Sequence, residues 1–177
     1  MKYFIGAVSA LIILIIGSLV FIYSGLYNMS ATSHHNKLTL WMINTLRDNS
    51  FKYHANDSGI KPPDLSDSSL IKTGFVHYSQ MCAGCHGAPG IDQSDIYMKG
   101  LYPHPPKLVR TAKEFTPQQL FWITKNGFKM TGMPAFGPTH SDDKIWAIVA
   151  FTQKLPYLTN EQYQIFFNET KSDTMKD

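Results

Sequence analysis

No charged residue stands between Tyr3 and Ser33, and Phe4 to Tyr23 is almost entirely Ile, Leu, Val, Phe, Ala and Gly. As a helix rising ~1.5 Å per residue, ~20 such positions cover the ~30 Å hydrocarbon core of a bilayer. A cleaved signal peptide is the competing reading. Its apolar core is usually ~7–15 residues long and ends at a small-x-small cleavage site, a pattern missing from Gly25 to Met29. The pattern therefore predicts an uncleaved transmembrane anchor over residues 1–24. Lys2, on the N-terminal side, orients such a span so that the remainder is exported.

Residues 25–66 read as a polar tether broken by the short amphipathic stretch Leu38 to Leu46 and closed by Lys61-Pro62-Pro63-Asp64. Trp41, Met42 and Leu46 call for cover, from the membrane surface or from the domain downstream. Three- and four-residue apolar spacing then dominates residues 67–168. Asp67 or Ser68 caps a helix carrying Leu70, Ile71, Gly74, Phe75, Tyr78 and Met81. Thr116-Pro117-Gln118-Gln119 has the form of a capping box with Pro at the first helical position, and Asn126-Gly127 stops that helix. A third helix starts at Ser141, with Asp142 and Asp143 set against its dipole, and ends before Pro156. Thr159 and Gln162 announce a further turn or two, up to Phe167, before a polar tail over residues 169–177. Period-two alternation is missing from the exported part, so the expected class is all-α.

Charge removes one class of function. Sixteen Lys+Arg against thirteen Asp+Glu leave +3, too small and too scattered a surplus to draw the chain to nucleic acid. His34, His35 and His54 lack the carboxylates or thiols that would complete a metal site, and read as surface residues. Chemistry concentrates instead in Cys82-Ala83-Gly84-Cys85-His86, which holds both cysteines of the chain. Such C-x-x-C-H spacing marks covalent c-type haem attachment: two thiols on one helical turn reach the two vinyl groups of a porphyrin, and the adjacent imidazole turns inward to the iron. A thioredoxin-type dithiol would follow a strand rather than a helix. Structural zinc would need four N/S ligands, and a disulfide would leave His86 unexplained.

An electron-transfer haem needs a sixth ligand, and a Met paired with His raises the potential. Met133, between Gly132 and Pro134, sits where Gly permits close approach to a porphyrin face and Pro fixes the chain just after it; Met130 is the rival sulfur. Trp122, Phe128, Phe136 and Trp146 are candidates to line or cover the porphyrin.

With these marks in order, residues 64–167 resemble the small class I cytochromes c, specifically the membrane-anchored bacterial monohaem type. The resemblance implies three main helices wrapped round one covalent haem c, with Cys82 and Cys85 forming the thioether links, His86 the proximal ligand and Met133 the distal one. It assigns Pro106 as the carbonyl that accepts a hydrogen bond from the proximal His, with Pro103 and Pro105 as rivals, and Leu108 as a haem-packing residue. The first and last helices of the domain are expected to cross, with Gly74 and Tyr78 meeting Ile148 and Phe151. Gly74 independently asks for this, because an interior helical Gly at a cost of ~1 kcal/mol relative to Ala is explained by a backbone pressed close to it.

The function implied is that of an electron carrier rather than an enzyme, either free or as the haem subunit of a larger oxidoreductase complex. It would sit in the bacterial inner membrane, with its domain in the periplasm, and pass single electrons between respiratory partners: an oxidase, a dehydrogenase or a quinol-oxidising complex. No small-molecule substrate and no nucleic acid is expected. Lys99, Lys107, Lys125, Lys129 and Lys144 read either as a steering ring for an acidic partner or as solvated surface. The alternative class is a haem enzyme or gas sensor in which the Met ligand is displaced; the absence of an obvious acid/base pair flanking the Met loop argues against it.

Overall fold

A computed structural model describes residues 1–57 and 59–174. The chain divides into two units, Met1–His34 and His35 onward. The first is built on helix α1, Lys2–Tyr23, whose 22 residues have no buried side chain. It is the one described helix long and apolar enough to cross a membrane.

Among its described residues the second unit has only helices as regular elements, joined by loops, apart from one isolated bridge between Ala88 and Ile91. Helices α2 (Lys37–Asp57), α3 (Ser68–Met81), α4 (Ala83–His86), α5 (Asp95–Gly100), α6 (Leu108–Thr111), α7 (Pro117–Asn126), α8 (Asp142–Lys154) and α9 (Asn160–Thr174) follow in order. Short 3₁₀ turns at Ala112–Glu114 and Leu155–Tyr157 extend α6 and α8.

The caps form as the side chains dictate. Asp67 accepts the Ser69 N–H at 2.8 Å. At α7 the Thr116 hydroxyl accepts the Gln119 N–H at 3.2 Å while the Gln119 side chain accepts the Thr116 N–H at 3.0 Å. Thr159 and Gln162 repeat the same exchange at the start of α9. Ser141 caps α8 by position alone, without a side-chain bond.

Helices α3 and α8 cross at Gly74. A Cβ there would overlap the Ala147 carbonyl oxygen and lie 2.6 Å from its carbon and 2.9 Å from Phe151 Cβ. The crossing brings Phe75 and Tyr78 against Phe151, with ring centroids 5.4 Å apart in both pairs. From α9, Tyr163 packs on Phe75 at 5.3 Å. Side chains of this size each contribute roughly 1.5–3 kcal/mol when fully buried, and the aromatic pairs about 0.5–1.5 kcal/mol more. A second cluster joins Leu120 and Phe121 of α7 to Ile145, Trp146 and Val149 of α8.

Two segments depart from the sequence expectation. The amphipathic stretch at 38–46 is the first half of a helix reaching Asp57. Its second half folds because Phe51 and Ala55 are buried, 5% and 2% exposed. Likewise α9 runs on to Thr174, through most of the expected polar tail; residues 175–177 lie outside the described residues. Tyr163 and Phe166 anchor that helix in the aromatic cluster, which is enough to carry its polar end.

Candidate functional site

Helix α3 delivers Cys82. The Cys82 N–H still bonds to Tyr78 O at 2.9 Å, and its carbonyl accepts both Cys85 N–H at 3.1 Å and His86 N–H at 2.8 Å. One tight turn therefore sets both thiols and the imidazole. Gly87, with φ +72°, ends the turn in a conformation that an L side chain strains to adopt. The buried Tyr78 hydroxyl donates to Gly87 O at 2.7 Å, tying the turn back to α3.

The His86 ring N–H at Nδ1 donates to Pro106 O at 2.8 Å, the carbonyl being able only to accept. This leaves Nε2 as the ring nitrogen without a proton. The carbonyls of Pro103 and Pro105, the rivals in the sequence, do not take this bond; Pro105 O accepts from Gln93 Nε2 at 2.9 Å. The same Gln93 amide donates to Cys85 O at 2.7 Å. Gln93 is 7% exposed, and sequence reasoning missed it because a single Gln in a Gly/Pro/Asp-rich loop carries no pattern.

Cys82, Cys85, His86, Met133, Pro106 and Leu108 all line one cavity of about 360 Å³, within the ~300–1,000 Å³ of ligand pockets. Phe128 and Phe136 line it as well, whereas Trp122 and Trp146 do not. Trp146 stacks on Phe121 at 4.3 Å, and Trp122 on His54 at 5.6 Å. Met130 is 76% exposed, has φ +59° and is absent from the cavity wall. Met133 is held by the Met loop's own bonds: Thr131 Oγ1 accepts the Met133 N–H at 3.1 Å, and Met133 O accepts the Phe128 N–H at 3.3 Å. Gly127 and Gly132 allow this loop its path. A Cβ on Gly127 would meet Met133 O at 2.7 Å, and one on Gly132 would meet the Leu101 side chain at 2.7 Å.

Burial pushes the Cys82 thiol up to about 12, with Cys85 adding to the effect, and raises Cys85 as well. It lowers His86, partly offset by the Pro106 bond. Both directions favour neutral groups, and the neutral imidazole is the ligating form. Among the described residues, no three His, Cys, Asp or Glu side chains cluster to hold a metal ion by themselves. A largely apolar cavity walled by two free thiols, the oriented His86 imidazole and the thioethers of Met133 and of Met81, the last residue of α3, suits a porphyrin iron instead.

An all-helical domain whose first helix runs into a C-x-x-C-H turn, facing a Met loop across one cavity, defines a class I cytochrome c. The comparison supports that class: residues 69–151 match the family model described as cytochrome c oxidase, cbb3-type, subunit III, a cytochrome c family. The family implies covalent haem c and electron transport. No curated protein matches the chain.

Proposed function

We propose that the protein is a membrane-anchored electron carrier holding one haem c by thioether bonds to Cys82 and Cys85, with His86 and Met133 as axial ligands. The observation that carries this reading is the single cavity bringing all four side chains together while excluding Met130. Bound haem supplies reversible one-electron chemistry at iron. The protein's part is to orient and to exclude. Pro106 fixes the His86 ring, the loop from Phe128 to Met133 presents the thioether, and Phe128 and Phe136 keep water from the cavity.

On this reading α1 is the anchor and the domain works at the outer face of the inner membrane, where lateral diffusion replaces three-dimensional search. The matched family's description names an oxidase subunit, which favours a terminal oxidase of the respiratory chain as the electron acceptor. Of the five candidate steering lysines, three are engaged: Lys99 with Asp95 at 3.0 Å, Lys107 with Asp92 at 3.0 Å and Lys125 with Asp142 at 2.6 Å. Among the described residues no ion pair engages Lys129 or Lys144, which makes these two the candidates for steering a partner.

The test is to express the full chain in a host that matures c-type haem and to measure its mass and its acid-acetone extract. Colour should remain with the polypeptide, at a mass increased by one porphyrin. Colour passing wholly into the solvent would overturn the reading.

A further inference from the structure

Helix α2 lies outside the matched residues 69–151, yet it forms part of the cavity wall through Arg47, Asp48 and Phe51. Phe51 packs on Phe115 at 5.7 Å and on Phe128 at 6.1 Å, so the helix is seated against the pocket rather than merely near it. Its other face is exposed, with Leu38, Trp41, Met42 and Leu46 all more than half accessible. Among the described residues, Arg47 is the only Lys or Arg on the cavity wall; Asp48, Glu114, His86 and His104 are the other ionisable groups there apart from the thiols and Tyr78.

That distribution matters for a haem. Its vinyl groups are claimed by Cys82 and Cys85, but its two propionate carboxylates remain, and a carboxylate beside an apolar cavity is costly unless paired. A guanidinium meets a carboxylate in a planar, bidentate fork. Arg47 is pre-set for this: its Nε and one Nη hold Asp48 Oδ1 at 2.8 and 2.7 Å. This fixes the plane of a group that carries five N–H donors in all.

The geometry points to Arg47 as the residue that binds a haem propionate, with Asp48 as the positioning residue that orients it. Helix α2 is then a working wall of the haem pocket. The inference rests on the haem reading above and fails separately from it, since it concerns only how an already attached haem is held.

The experiment uses the haem-loaded full chain in detergent, titrated spectroelectrochemically. Loss of the Arg47 cation stabilises the ferric state, so Arg47→Ala should lower the equilibrium constant for reduction about tenfold, which is 59 mV for one electron. Asp48→Asn removes the opposing charge and should shift it the other way. Lys52→Ala, an exposed position on the same helix, should stay within about twofold. In resonance Raman spectra the propionate bending band should move in Arg47→Lys and stay in place in Lys52→Ala. An unmoved band, or Arg47→Ala matching Lys52→Ala with haem and both axial ligands retained, would overturn the assignment. If Arg47→Ala loads no haem, the Raman comparison decides alone.

Discussion

Gly74→Ala inverts an ordinary rule of helix stability. At an unobstructed interior position of a helix, replacing Gly by Ala gains roughly 1 kcal/mol. At Gly74 the new methyl group would enter the Ala147 carbonyl and come within 2.9 Å of Phe151 Cβ, and neither is the far end of a flexible side chain. Relief requires α3 and α8 to separate. Overpacking of this kind destabilises by about 1–3 kcal/mol, and backbone obstruction puts the expected net loss at the upper end, about 3 kcal/mol. For a unit of this size that is a fall in Tm of roughly 6–12 °C. Because α3 runs directly into Cys82, the displacement also reaches the attachment turn. Thermal unfolding of the haem-loaded protein, followed by far-UV circular dichroism and by the haem absorption band, measures both effects. An unchanged or raised Tm would refute the helix crossing at Gly74.

Two further outcomes follow from the site and its surroundings. Met133→Ala should lower the reduction potential and admit carbon monoxide, whereas Met130→Ala should leave the ferric spectrum unchanged, since of these two Met133 lines the cavity and Met130 does not; reversed behaviour in optical titrations would exchange the two sulfurs. His77 has its pKa held below 6.5 by burial, then by His140 and Lys144. The unfolded chain therefore binds a proton that the folded state refuses, and stability present above about pH 6.5 is lost as the pH falls toward the lower folded value. Between about pH 7.5 and 5.5 the wild type should lose more Tm than His77→Asn, and parallel curves would remove His77 as the cause.

Much of this was legible locally. Capping boxes at Thr116 and Thr159, the Asp67 cap and the close approach at Gly74 all follow from chemistry within a few residues. The C-x-x-C-H turn is equally local. The long reach of α2 was not, because Asn49, Ser50 and Lys52 surround Phe51 and only tertiary packing shows that Phe51 and Ala55 are core. Trp122 and Trp146 were misdirected toward the porphyrin for the related reason that size and apolarity do not say which cavity a ring fills. His54, read as a surface residue, is exposed as expected but stacks on Trp122. Gln93 was invisible, since a buried amide is identified by its acceptors and those come from distant positions in the chain.

The Gln93 brace has a consequence for turnover. Both N–H donors of its amide are committed, one to the segment bearing the cysteines and one to the segment next to the histidine's carbonyl partner. Sliding either segment would strand a buried donor, at a penalty of about 1–3 kcal/mol. The imidazole is thus held in one direction, and with a haem bound there in either charge state an electron carrier of this build would lose little energy to rearranging itself.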